Sequence, residues 1–241
     1  HWPEVMVEYE MTEKILFSAD GFGKFGALST EEDWACEARR YYFNIVGKYG
    51  SPVQTLLKKA ATLDIQTICP LHGPILKENL PYYIGKYQTW SSYEPEDKGV
   101  LVACASIHGN TKAAAEKMVN LLQEAGAAKV AFTDLSRDDM AEAIEDAFRY
   151  AGFVLCAASY DGGVFPPMED FLNRLSHKAF QKRKVGIIEN GSWAPCAAKS
   201  MKAILDTMKN LEICDKVVTI KTTMKETDVE HMKELAKEIV G

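Results

Sequence analysis

The sequence predicts an α/β protein whose larger part is a doubly wound, five-stranded parallel sheet, preceded by a smaller α/β segment. Three observations predict it. From residue 99 onward, apolar runs and amphipathic stretches alternate strictly, with five of each. The apolar runs are continuous and are not split by period-2 alternation, as strands covered on both faces are. Finally, Ser91-Ser92-Tyr93-Glu94-Pro95-Glu96-Asp97-Lys98 is polar, contains a proline and has no helical or strand period, which marks a linker. Residues 1–90, 91–98 and 99–241 are therefore read as first domain, linker and second domain.

In the second domain, residues 99–106 form an apolar strand and 111–125 a helix. Ala115, Met118, Leu122 and Ala125 lie on one face of that helix before Gly126 ends it. Residues 129–133 are a short strand, and Ser136-Arg137-Asp138-Asp139 opens the next helix with capping-box spacing. Residues 153–159 and 185–189 read as buried strands, with a helix at 167–178 entered through two prolines. A helix at 197–210, a strand at 216–221 and a last helix capped by Thr227 with Glu230 complete the series. In the first domain, residues 5–10, 15–18 and 65–69 read as strands, and 31–48 and 53–62 as helices.

Composition sets the class. Of 241 residues, 47% are hydrophobic and 26% charged, the balance of a soluble globular chain. The net charge of −6, without a Lys or Arg run, argues against a nucleic-acid partner. No apolar stretch approaches the length of a membrane span. The six cysteines, Cys36, Cys69, Cys104, Cys156, Cys196 and Cys214, form no CxxC pair, and several sit in apolar runs. They are expected to be reduced core thiols of a cytoplasmic protein. The chain starts at His1 rather than at methionine, which reads as a piece of something longer.

A doubly wound sheet binds ligands beyond the carboxyl ends of its strands, where strand order reverses. Three loops there are distinctive. Ser106-Ile107-His108-Gly109-Asn110-Thr111 joins the first strand to its helix. Hydroxyls, a glycine and an asparagine at a helix N-terminus make a nest of donors for a phosphate monoester. The loop has neither the lysine of a triphosphate P-loop nor a GxGxxG fingerprint. Ser159-Tyr160-Asp161-Gly162-Gly163 offers an aromatic ring and glycines that admit a flat ligand; Asn190-Gly191-Ser192-Trp193-Ala194 offers a second aromatic. Singly, each loop is also an ordinary capped turn or aromatic anchor. Together they describe a phosphate socket beside a two-walled slot for a planar ring.

The first-domain pattern Ser18-Ala19-Asp20-Gly21-Phe22-Gly23-Lys24-Phe25-Gly26 ends one strand, and Cys69-Pro70-Leu71-His72-Gly73-Pro74 ends another. Each brings a metal-capable side chain to a glycine turn. Taken bare, Asp20 reads first as a turn former and His72 as a hydrogen-bonded loop histidine.

Ser106–Thr111 resembles the phosphate loop of flavodoxins. With Ser159-Tyr160-Asp161-Gly162-Gly163-Val164-Phe165-Pro166-Pro167, it resembles more closely the flavodoxin domain of flavodiiron proteins. The resemblance implies FMN, with Ser106, Ile107, His108, Gly109, Asn110 and Thr111 on its phosphate. It places Ser159, Tyr160, Asp161, Gly162 and Gly163, and Asn190, Gly191, Ser192, Trp193 and Ala194, beside the isoalloxazine ring. It also makes residues 1–90 the second half of a metallo-β-lactamase-like domain, with His1, Asp20 and His72 matching three ligands of a non-haem diiron centre. The family's upstream H-x-E-x-D-H cluster is absent, and three strands are too few for that domain's sandwich. The implied activity is FMN-dependent electron transfer within an enzyme that reduces dioxygen, nitric oxide or both. A rubredoxin-like or flavin-reductase donor and a head-to-tail homodimer are implied with it. The alternative is a non-catalytic, flavodoxin-type electron carrier.

Overall fold

The computed structural model describes residues 5–241, and the chain forms two compact units, His1–Glu94 and Pro95–Gly241.

The first unit holds a small sheet. Strand β1 (Glu8–Glu10) runs antiparallel to β2 (Ile15–Phe17), which is parallel to β3 (Thr67–Cys69). The crossover between β2 and β3 carries helix α1 (Trp34–Tyr41), a π turn at Tyr42–Val46, a 3-10 turn at Gly47–Tyr49 and helix α2 (Gly50–Ala60). The expected helices at 31–48 and 53–62 are thus one nearly continuous helical run, shifted in register. Asp33 caps α1 by accepting from the N–H groups of Ala35 and Cys36. Helix α3 (Leu80–Ser91) was not expected from the sequence, which reads 91–98 as the linker. Its Tyr87 and Trp90 are buried against Tyr42 and Trp34, with the Tyr87–Trp90 and Tyr42–Tyr87 rings each 5.3 Å apart. Aromatic packing of this kind builds a core from few residues. Beneath α2 the unit keeps an apolar groove of about 530 Å³, lined by Val7, Leu16, Val53, Leu56 and Leu63 among others.

The second unit is the doubly wound sheet. Strands β4 (Asp97–Ala105), β5 (Val130–Asp134), β6 (Tyr150–Tyr160), β8 (Lys184–Asn190) and β9 (Glu212–Ile220) are parallel, in the order β5-β4-β6-β8-β9. A two-residue strand, β7 (Gly163–Val164), folds back on the end of β6. Helices α4 (Asn110–Glu124), α5 (Met140–Arg149), α6 (Pro166–His177), α7 (Ala197–Leu205) and α8 (Glu226–Val240) alternate with the strands. This is the flavodoxin-like order.

Both sheet faces are covered, which explains the unbroken apolar runs. Val100, Val102, Cys104, Val154, Cys156 and Ile188 pack against Met118 and Leu122 of α4 and Met232 and Leu235 of α8. Phe153, on the other face, meets Phe171 and Phe180 at 5.8 and 5.7 Å. All six cysteines are free thiols, and Cys104, Cys156 and Cys214 are buried. Two caps differ from expectation. Helix α5 is capped by Asp139, not Ser136: the Asp139 carboxylate accepts from Ala141 N–H at 2.7 Å and from Glu142 N–H at 3.2 Å. Helix α8 starts earlier than Thr227, with the Asp228 carboxylate accepting from Lys225 N–H at 2.9 Å. Among the described residues, no helix is long and apolar enough to cross a membrane.

Candidate functional site

Strand order reverses at β4, with β5 on one side and β6 on the other. The loops that leave the carboxyl ends of β4, β6 and β8 therefore lie side by side, because these strands are sheet neighbours in parallel register. They are the three loops singled out in the sequence.

In the first loop, Ser106 Oγ accepts from Gly109 N–H at 3.1 Å, a tight turn that aims the backbone into α4. Gly109 has φ +93°, and an added Cβ there meets nothing within 4 Å, so a side chain is disfavoured by backbone strain and not by crowding. No side chain caps the start of α4, leaving its first N–H groups and dipole end to attract an anion. Ile107 is 40% exposed, whereas Thr111 is buried.

The second loop is a two-residue hairpin turn between β6 and β7. Asp161 and Gly162 have φ +47° and +75°, the signature of a type I′ turn. Tyr160 is left half exposed on its end, 5.7 Å from the Phe165 ring.

In the third loop Trp193 is 88% exposed, an unusual position for so large an apolar surface. The loop's ends are tied. Asn190 Nδ2 donates to Thr222 O and Asn190 Oδ1 accepts from Thr222 N–H, while Gly191 N–H donates to Ile220 O. Ser159 Oγ accepts from the N–H groups of Cys196 and Ala197, at 2.9 and 3.2 Å. The Ser159 and Asn190 side chains thus hold the rim together, and what the loops offer a ligand is backbone, Tyr160 and Trp193. An uncapped helix start and two exposed aromatics along one rim fit a phosphate-bearing planar group, so the residues present suit FMN.

The first unit brings a second pair together. Phe17 and Cys69 are register partners at the ends of parallel β2 and β3, and Asp20 and His72 each follow three residues later. His72 Nε2 stands 3.5 Å from Asp20 Oδ1. His72 Nδ1 lies 3.0 Å from Lys24 O, to which it donates in the neutral tautomer. That leaves Nε2 facing Asp20, shielded from solvent and without a hydrogen-bond partner among the described residues. An imidazole oriented by a carbonyl on one nitrogen and bare on the other is the arrangement of a metal ligand.

The glycine turn makes this possible. A Cβ on Gly23 would lie 2.4 Å from His72 Cε1. Lys24, itself buried, fixes the turn by donating to Phe25 O and to Glu32 Oε2, each at 3.0 Å. Tyr41 stands edge-on to the His72 ring at 4.6 Å. Burial, and then the Asp20 carboxylate, pushes its phenol up to about 12. His1, the third ligand expected, lies outside the described residues. Asp20 and His72 suit one metal in part; they do not make up a two-iron ligand set.

No family model matches the chain. An uncharacterized protein of Methanocaldococcus jannaschii is 30% identical over 244 residues, covering 97% of this chain and 60% of that protein. The anaerobic nitric oxide reductase flavorubredoxin of Aliivibrio fischeri is 24% identical over 80% of this chain and 41% of its own length. Among solved structures, the rubredoxin oxygen:oxidoreductase of Desulfovibrio gigas superposes with a TM-score of 0.91 at 21% identity, over 100% of this chain and 62% of that one. The flavodiiron protein of Giardia intestinalis gives 0.92 at 20% identity, over 100% and 61%. An archaeal flavodoxin matches 59% of this chain and 96% of its own with a TM-score of 0.51 at 19% identity. The chain spans 41–62% of the length of these flavodiiron-type relatives and of the Methanocaldococcus protein. The chain is thus similar in sequence to a flavorubredoxin, and in fold to a rubredoxin oxygen:oxidoreductase and a flavodiiron protein.

Proposed function

We propose that this chain carries the FMN-dependent electron-transfer part of a flavodiiron oxidoreductase that reduces dioxygen, nitric oxide or both at a non-haem diiron site. The observation that carries the reading is the rim of the second unit. There an uncapped helix start, a glycine at φ +93° and two exposed aromatics sit on the ends of three adjacent strands. FMN bound there supplies the one- and two-electron chemistry, and the protein supplies binding, orientation and electrostatics. The Ser106–Thr111 loop holds the phosphate through backbone N–H groups. Tyr160 and Trp193 flank the ring, and the ties at Asn190 and Ser159 keep the rim in place.

His72 and Asp20 contribute ligands to the metal centre, His1 a third, and the remaining ligands come from outside this chain. The open apolar groove beneath α2 and a sheet of three strands among the described residues support a metal domain larger than this unit. The names of two relatives, which contain rubredoxin, favour a rubredoxin-like donor over a flavin reductase. The protein works in the cytoplasm as a homodimer or higher oligomer, without nucleic-acid or membrane partners. A flavodoxin-type carrier is the second reading. It is favoured by one observation: the sequence holds no H-x-E-x-D-H cluster.

Gas consumption by the reduced, iron-supplied chain tests the choice. The chain alone is expected to show no dioxygen or nitric oxide reduction, and activity is expected on adding a segment with an H-x-E-x-D-H cluster. Turnover by the chain alone would overturn the ligand assignment, and no activity with the added segment would favour the carrier.

A further inference from the structure

Helix α7 begins immediately behind the third rim loop, and the N–H groups of its cap residue and of its first two residues are engaged from the sheet. Ser159 Oγ takes those of Cys196 and Ala197, and Glu189 Oε2 takes that of Ala198 at 2.8 Å. The other carboxylate oxygen, Oε1, accepts from Thr219 Oγ1 of β9 at 2.9 Å. Glu189 is only 7% exposed, at a strand position whose neighbours Ile187 and Ile188 are apolar and buried. A buried carboxylate is costly unless each oxygen is hydrogen-bonded, and here both are, one of them at the positive end of a helix.

We propose that Glu189 is a positioning residue, which with Ser159 clamps the start of α7 and so fixes the loop 191–195 as one wall of the flavin slot. The proposal rests on the flavin reading above. The loop is closed tightly on itself: a Cβ on Gly191 would lie 2.9 Å from Pro195 Cα and 3.1 Å from Ser159 Oγ. At its front it is tied by Asn190 to Thr222 and by Gly191 to Ile220. At its rear it is tied, among the described residues, through Cys196 to Ser159 and Gly163, and through Ala197 and Ala198 to Ser159 and Glu189. Trp193 projects from the middle, exposed, with no packing of its own to hold it. Releasing the rear would let the loop and its aromatic sample conformations that binding must then restrict, which weakens affinity without touching the phosphate socket.

The test uses the full chain, with FMN affinity from quenching of flavin fluorescence and amide hydrogen exchange as two readouts. Glu189→Ala is expected to weaken FMN about tenfold, the scale of losing hydrogen bonds to a charged group. It is also expected to speed exchange only across residues 190–198. Glu189→Gln keeps an oxygen for Ala198 N–H and offers an amide to the Thr219 hydroxyl, so it should stay within about threefold of wild type. If Glu189→Ala does not fold, Thr219→Val removes one bond at an exposed strand position and should weaken FMN severalfold with the same local exchange pattern. Unchanged FMN affinity in the folded variants would overturn the clamp while leaving the flavin reading intact. So would faster exchange spread evenly over the sheet, the mark of a merely structural role. A wild-type chain that binds no FMN would instead overturn the flavin reading itself.

Discussion

His72 shows how much of this protein's chemistry is set by what surrounds a side chain. Its ring lies in a groove that exists only because residue 23 is glycine and because Lys24 turns its carbonyl toward Nδ1. Gly23→Ala is therefore predicted to displace the ring, since 2.4 Å is far inside van der Waals contact. The expected cost is about 1–3 kcal/mol of stability, together with loss of any metal-dependent visible spectrum on titration with cobalt. A spectrum equal to wild type would show that His72 does not face a metal. Gly109 is the opposite case. Alanine meets nothing there but must adopt φ +93°, so Gly109→Ala should cost about 1–2 kcal/mol through backbone strain, read from urea unfolding. The buried thiols carry a pH signature. Burial, and secondarily the Asp134 carboxylate, pushes Cys104 up to about 12; burial also holds Cys156 well above its ordinary range and brings Cys214 to about 12. A raised folded-state value means the folded chain holds its protons while the unfolded chain releases them. Stability is thus fully present below pH 9 and falls above it, by about 1.4 kcal/mol per pH unit for each thiol. Urea midpoints between pH 8 and 10 should show this fall, with a shallower slope in Cys156→Ala; a flat profile would contradict it.

The elements show what the sequence made legible and what it hid. Every strand and helix of the doubly wound sheet except β7 was readable, because strands covered on both faces are continuous apolar runs such as 100–105. The cap of α5 was misplaced by three residues. Asp138 and Asp134 both bind backbone in the turn before it, Asp138 accepting from Asp134 N–H at 2.7 Å and Asp134 from Ser136 N–H at 3.1 Å. Several acids in one turn compete to be the cap, and spacing alone does not choose among them. Asp139→Ala is accordingly predicted to cost about 1 kcal/mol, whereas Ser136→Ala should leave unfolding unchanged; the reverse result would restore the sequence-based cap. Helix α3 was missed because Leu80–Ser91 mixes aromatics with Gly85 and has no clean apolar stripe. The hairpin at Asp161-Gly162 carried a usable signal, since Asp-Gly between β-forming residues is the typical type I′ pair. The pairing of Asp20 with His72 depends on β2 and β3 joining across about fifty residues, a non-local contact invisible to local pattern. Glu189 gave no signal at all, because a carboxylate beside a glycine turn looks like an exposed strand end.

At the scale of the whole molecule, the two units carry different kinds of candidate site. The first offers His72 and Asp20 on a three-stranded sheet with an open apolar groove. The second encloses its own core on both sheet faces and presents all three rim loops from within residues 95–241. Flavin binding should therefore be independent of metal. Stripping metal with a chelator is expected to leave FMN affinity unchanged, and a parallel loss of both would show that the sites depend on one another. Whether the rim binds FMN at all is decided most directly by titrating the purified full chain with FMN, FAD and NAD, with released cofactor identified by chromatography. The structure predicts one FMN per chain, with no comparable binding of FAD or NAD. It also predicts that Asn110→Glu abolishes FMN binding by placing a negative charge against the N–H groups proposed to hold the phosphate. FAD or NAD binding in preference to FMN, no flavin bound at all, or FMN held equally well by Asn110→Glu would contradict it.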